Sequence, residues 1–434
     1  MGTEHPKKVG DYVTLQRGTT YSGKLVGRPG PALLGLGSIE PGGGFRADFK
    51  TYGGDCPASL MLVSGDIYVA LKGATKDASM VGSVARLPPT VPSGRLTQDT
   101  ARLDFIDRRA EVVNHVYWIL RTPQYRRYCD ERVTGSASAS FSRQDFLSYP
   151  VPPITKTSTT IVNVLQSTEA KIDLNQRLNE TLEALARALF KSWFVDFDPV
   201  RAKVESKDSG LAQPLVDLFP DTFEDSEGAE IPQGWKMERL GDLAALNPES
   251  WSKDTRPAAV NYVDLSNTKW GRIEAVTVHR KTDAPSRAQR VLRVRDTIVG
   301  TVRPGNGSYA FVSEDGLTGS TGFAVLRPTR DEYAEFVYLA ATSPENIDTL
   351  SHLADGGAYP AVRPEVVAAT DVARPRDEVL KPFSRLVAPL FTKVAENERE
   401  SSTLAALRDT LLPKLTSGEL GISDTERFIG KQTE

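Results

Sequence analysis

The residue pattern nearest to a catalytic or binding loop is Gly18-Thr-Thr-Tyr-Ser-Gly23-Lys24, which has the Gly-x4-Gly-Lys spacing of a phosphate cradle. Leu25 follows where a magnesium-binding Ser or Thr is needed, and no helix signal comes after it, so the segment reads as a Gly-rich turn. Gly305-Asn306-Gly307 likewise lacks the strand-to-helix setting of a dinucleotide site. His5, His115, His279 and His352 are scattered, and Cys56 and Cys129 form no Cys-x-x-Cys. No metal site, zinc finger or disulfide framework can be built from them. There is no Gly-x-Ser-x-Gly nucleophile elbow, no Asn/Asp-Pro-Pro-aromatic tetrapeptide of an amino-methyltransferase, and no nuclease carboxylate set around Pro220-Asp221. In 434 residues that silence favours recognition or scaffolding over catalysis, with no cofactor of its own.

The chemistry that remains is cationic. The formal net charge is only -3, but charge acts where it sits. Residues 1–154 carry 19 Lys and Arg against 14 Asp and Glu, whereas residues 155–231 carry 8 against 14. Between Lys269 and Arg303 nine cations (Lys269, Arg272, Arg280, Lys281, Arg287, Arg290, Arg293, Arg295, Arg303) face Glu274, Asp283 and Asp296 alone. Such a run is either a solvated face or a nucleic-acid footprint. Loop-tip donors that fit base edges and phosphates are Lys72, Lys76 and Gln98 in the first half, and Arg303, Asn306, Ser308 and Arg363 in the second.

These residues fall into equivalent places because the chain repeats itself. Gly10-Asp11 returns as Gly241-Asp242, an offset of 231 residues. LGSIEPGG around Leu36 returns as LSNTKWG around Leu265, and SGDIYVALKG at Asp66 as VRDTIVGTVRP at Asp296. HVYW at Tyr117 matches FVYL at Tyr338, and TLEAL at Thr181 matches TLAAL at Thr403. Each match is weak, but together they are collinear, which marks a tandem duplication.

Each copy opens with short β-rich runs punctuated by Gly and Pro, which predict a compact α+β domain, and then continues into a helix. The stretch TTIVNVLQSTEAKIDLNQRLNETLEALARALFKSWF contains neither Pro nor Gly. Its positions Ile161, Leu165, Thr168, Ile172, Asn175, Asn179, Leu182, Ala186, Leu189 and Trp193 alternate steps of four and three, the seam of a coiled coil. Their repeat mates are Phe383, Val387, Leu390, Val394, Asn397, Ser401, Leu404, Arg408, Leu411 and Leu415. Two such helices predict an antiparallel pair about a pseudo-two-fold axis, its register set by Asn175 and Asn397. Pro382, Pro389 and Pro413 put the continuity of the second helix in question. The expected layout is a first domain over 1–154, a central helix over 155–200 and an acidic connector over 201–231. A second domain over 232–376, a C-terminal helix over 377–418 and a tail over 419–434 complete it.

With its two-fold repeat of β-rich domain plus long helix, the GDI strand and loop, LFKSWFVDFDPVRAK and IPQGWKMERLGDL, the chain resembles the specificity subunit of type I restriction-modification systems. The resemblance covers essentially the whole chain. It implies two target recognition domains reading the halves of a bipartite double-stranded DNA site. It further implies docking of two methyltransferase subunits, and of restriction translocase-nuclease subunits in the full complex, with S-adenosylmethionine bound by the methyltransferase. Trp193, Phe194 and Phe197 then read as a methyltransferase-docking patch, against the alternative of intramolecular core. A coiled-coil adaptor that binds only proteins, or an enzyme with unrecognised motifs, are the competing readings. No run of eighteen apolar residues and no signal-like N-terminus occur, so no membrane and a cytoplasmic location are expected.

Overall fold

The computed structural model describes residues 7–73, 78–135, 139–226, 228–354 and 360–417. The chain forms two compact units, Met1–Asp173 with Glu400–Glu434, and Leu174–Arg399. Both are α+β.

In the first unit the strands are β1 (Val13–Arg17), β2 (Ala32–Leu34), β3 (Met61–Val63), β4 (Ile67–Ala70), β5 (Val84–Arg86), β6 (Ser93–Leu96) and β7 (Thr100–Phe105). They form one sheet in the order β1-β7-β4-β5 and another in the order β2-β6-β3. In the second unit the corresponding strands are β8 (Ala244–Leu246), β9 (Ala259–Val263), β10 (Ala288–Val291), β11 (Thr297–Gly300), β12 (Tyr309–Phe311), β13 (Leu317–Ser320) and β14 (Phe323–Pro328), beside three two-stranded ribbons that the first unit lacks among its described residues. The orders are β8-β14-β11-β12 and β9-β13-β10, the same topology, with Thr277–Arg280 added at the edge of the smaller sheet. Even the parallel pairing of β2 with β6 recurs between β9 and β13. Strand β4 (Ile-Tyr-Val-Ala) is buried throughout, as a central strand covered on both faces must be.

The repeated dipeptides have mechanical reasons. The Asp11 carboxylate accepts from the Lys8 amide at 2.7 Å, and Asp242 accepts from the Arg239 amide at 2.9 Å, each closing a short helical turn. A Cβ on Gly10 would stand 3.2 Å from the Leu147 carbonyl, and one on Gly241 3.3 Å from that of Ala368. Each glycine thus lets its turn press against a later helix of its own unit. Asp66 accepts from the Val63 amide, and Asp296 accepts from that of Arg293 at 2.8 Å. Asp296 is fully buried and held by a forked bond from Arg327, whose other nitrogen reaches Glu249.

Thr155 and Ser158 exchange side-chain-to-amide bonds and start the central helix, Lys156–Phe194, just after Pro152-Pro153. The C-terminal helix runs unbroken over Asp377–Leu411, so Pro382 and Pro389 do not interrupt it. Pro389 and Arg385, whose carbonyl loses its partner, are both exposed, so water can satisfy that group, while Phe383, Val387 and Phe391 bury the opposite face. Pro413 lies beyond its end.

None of the ten seam positions on either helix is exposed. In the first unit Ile161, Val162 and Leu165 share a core with Leu411, Leu412 and Leu415. In the second, Asn175 donates to the carbonyl of Asn397 and Asn179 to that of Val394, both at 3.4 Å, and Phe194 packs edge-on against Phe383 at 4.7 Å. Rising numbers on one helix meet falling numbers on the other, so the segments run antiparallel there.

The docking-patch assignment is corrected by burial. Trp193, Phe194 and Phe197 are 2%, 4% and 8% exposed and sit among Phe190, Phe219, Trp235, Phe336 and Phe383. Three large rings inside one core have no surface to offer a partner. The acidic connector is anchored in the same place, since Phe219 is buried and Leu211, Leu215 and Leu218 pack around it.

Candidate nucleic-acid interface

Strand β11 ends at Gly300, and the chain leaves it through Thr301-Val302-Arg303 into a tight turn over Pro304–Asn306. Arg303 has φ +46, and its amide is tied to the Pro360 carbonyl at 2.9 Å. Beside this turn the segment after β9 brings Asp264, Leu265, Ser266, Lys269 and Trp270 round. Together with Tyr262, Arg287, Asn306, Ser308 and Ser320 they enclose a cleft of about 660 Å³.

Lys269, Arg287 and Arg303 reach this cleft from three separate segments, and among the described residues none of them forms an ion pair. Among the described residues only one carboxylate lines it. Asp264 is already engaged, accepting from the Ser266 amide and hydroxyl and the Asn267 amide at 2.9, 2.6 and 3.1 Å. Four others of the basic run are engaged elsewhere. Arg293 pairs with Glu249, Arg295 with Glu335, Arg290 bonds Ser250, and Lys281 bonds the Asp254 carbonyl. Arg293 and Arg327 together hold the Glu249 carboxyl below its ordinary range. A cleft with three unpaired cations, an exposed amide at Asn306 and an exposed indole suits a phosphate backbone with bases beside it.

The structure therefore brings Arg303, Asn306 and Ser308 into one site. Ser308 is 6% exposed and gives its hydroxyl to the Leu265 carbonyl at 2.9 Å, so it braces the cleft floor. Arg363 is exposed at the start of a short helix and lies outside the cleft lining, although Val362 bonds to Thr301 next to it. Lys269, Trp270 and Arg287 were not singled out from sequence. The local charge run was the signal for the two cations, and nothing in the sequence distinguished the indole from a core tryptophan.

In the first unit Lys72 and Gln98 share one end of the β4–β7 pair, where the Leu71 amide bonds the Asp99 carbonyl at 2.9 Å. This is the end that carries Arg303 in the second unit. Both are half-buried, and Gln98 donates to Asp99 at 3.2 Å. Lys76 lies outside the described residues. A smaller cleft of about 290 Å³ lined by Leu33, Gly35, Leu36, Gly37, Ser38 and Thr97 occupies the place equivalent to Tyr262, Asp264, Leu265, Ser266, Asn267 and Ser320. Its charged residues are Asp48 and Lys50. Among the described residues no group of His, Cys, Asp or Glu is arranged to hold a metal ion, and no helix is long and apolar enough to cross a membrane.

No protein-family model matches the chain. Over 350 residues it is 25% identical to the specificity subunit of the type I restriction enzyme HindI of Haemophilus influenzae, which spans 69% of this chain and 75% of that protein. The MjaIX specificity subunit of Methanocaldococcus jannaschii is 22% identical over 350 residues, 76% of this chain and 74% of its own. The fold is similar to the crystal structure of the S subunit of a type I restriction-modification system from M. genitalium. That likeness has a TM-score of 0.55 at 15% identity and covers 96% of this chain and 98% of the other.

Proposed function

We propose, from the premise that this chain is a relative of type I restriction enzyme specificity subunits, that it is the non-catalytic DNA sequence-recognition subunit of such a complex. The observation that carries this reading is the pair of units whose two main sheets share one strand order, each with a cleft at the same strand ends. Two copies of one reading module suit a bipartite site, one half per unit, with the long helices that pass from one unit into the other as the spacer. The chain holds no cofactor in this reading. S-adenosylmethionine belongs to two methyltransferase subunits, restriction translocase-nuclease subunits complete the assembly, and the work is done in the cytoplasm.

For the methyltransferase the exposed face of the central helix replaces the buried aromatic patch. Leu174, Leu178 and Leu185 are exposed on one stripe, about a quarter-turn round the helix from the seam. The test is methylome sequencing of cells expressing the methyltransferase with and without this chain. Adenine methylation at one bipartite motif, present only with the chain, is expected. Methylation independent of the chain, or turnover by the chain alone, contradicts the reading, and loss of all salt-sensitive DNA affinity favours a protein-only adaptor.

A further inference from the structure

We propose that Trp270 is a stacking residue for DNA, its indole laid against a base of the half-site that the second unit reads. This deepens the function proposed above and rests on it. Trp118, Trp193 and Trp235 are buried, and Trp251 is half-buried with its Nε1 bonded to Thr318 at 3.2 Å. Trp270 alone among the five is open to water, at 58% exposure.

Its position is enforced. The backbone at Trp270 has φ +49, an unfavourable value for a residue with a Cβ, and its amide is bonded to the Gly307 carbonyl at 2.6 Å. The ring lies over Gly307 so closely that a Cβ there would come within 2.5 Å of it, and its edge meets the Tyr309 ring at 6.1 Å. A hydrophobic ring is thus fixed at the wall of a polar cleft without being covered. Lys269, Arg287 and Arg303 surround that cleft, which places cations for phosphates beside a π-face for a base, the combination that holds unstacked or splayed nucleotides.

The fold does not need the indole. In the first unit the corresponding turn has Glu40-Pro41-Gly42 where the second has Lys269-Trp270-Gly271. Both turns still dock onto an equivalent strand, Gly44 bonding Val84 at the start of β5 and Gly271 bonding Tyr309 at the start of β12. The aromatic ring and the cation beside it are additions to a scaffold that closes without them, so they belong to what the second unit recognises.

The experiment uses the complex of the full chain with its methyltransferase and a duplex carrying the motif found by methylome sequencing. Binding should quench tryptophan emission. W270F should lose the share of that quenching which this chain contributes while W251F keeps it, because Trp118, Trp193 and Trp235 are buried and Trp251 is half-buried and held by Thr318. W270A should weaken binding about five- to hundredfold, and W270F, which keeps a ring, should stay within about threefold of the parent. A fluorescent adenine analogue placed along the second half-site should brighten at one position when W270A replaces the parent. Equal binding by W270A together with unchanged quenching in W270F overturns the stack but leaves DNA recognition standing. Failure of the parent complex to bind any duplex overturns the recognition reading, and the stack with it.

Discussion

Asn397 donates its side-chain amide to Oδ1 of Asn179 at 2.7 Å, one turn from Asn175, which itself donates to the Asn397 carbonyl. All three asparagines are buried, within helices whose other seam positions are mostly apolar. A polar cluster at such a place costs stability yet restricts pairing, since a slipped register would set the amides against leucine or isoleucine.

Replacing one member should therefore cost more than replacing two. Asn397→Leu takes the donor from the buried Asn179 Oδ1, while the backbone carbonyl that Asn175 reaches remains, and a loss of about 1–3 kcal/mol is expected. The double variant N179L/N397L should recover part of that loss. Urea unfolding of the full chain checks the order, and a single variant no less stable than the parent contradicts it.

Arg327→Met should be among the most damaging changes in the second unit. It strips the forked partner from Asp296, a carboxylate with no exposed surface, and an uncompensated buried charge typically costs about 3–5 kcal/mol. Arg327→Lys restores charge without the fork and should fall between the two. A midpoint for R327M within error of the parent's would show that Asp296 finds another partner.

His115 links the first unit to pH. Its Nε2 lies 2.9 Å from the Pro152 carbonyl, Nδ1 meets no partner among the described residues, and burial lowers its pKa from 6.5. The folded pKa is below the unfolded one, so the unfolded chain takes the proton first. Stability from this group is complete above pH 6.5 and falls as pH drops from there through the folded value. His115→Gln should flatten that part of the profile, measured as urea midpoints on either side of pH 6.5. The same slope in the variant would assign the effect to other groups.

Arg303→Ala should impair recognition of one half-site and spare the other. The cost is about 1–3 kcal/mol if a guanine contact is lost, and smaller but independent of sequence if the contact is to phosphate. Lys269→Ala and Arg287→Ala, read by titration over a range of salt, should each lower the salt slope by about one phosphate contact. Unchanged binding to every sequence removes Arg303 from the site.

Leu178→Asp combined with Leu185→Asp changes only exposed positions of the central helix. The chain should unfold at the parent's midpoint but no longer co-purify with the methyltransferase. Retained co-purification moves the docking surface elsewhere.

The repeat, the α+β character, the long central helix and its seam were legible in the sequence, because each is a matter of period: two for strands, three and four for the helix, about 230 residues for the duplication. The asparagines could be placed on that seam from spacing alone. The fate of the aromatic segment could not. Trp193, Phe194 and Phe197 look the same in sequence whether they cover a partner or a core, and only the packing of Phe219, Trp235 and Phe383 around them decides it. Nor could the sequence say whether Pro389 breaks its helix, which depends on whether water reaches the carbonyl four residues back. The cation run shows the same limit. Nine charges within one stretch are equivalent on paper, but Glu249, Glu335, Ser250 and the Asp254 carbonyl, from 27 to 44 residues away, engage four of them, and the folded cleft gathers Lys269, Arg287 and Arg303 with Trp270. Periodicity is a local property that a chain carries with it, whereas which charge is neutralised and which ring is covered depend on distant segments and exist only once the chain has folded.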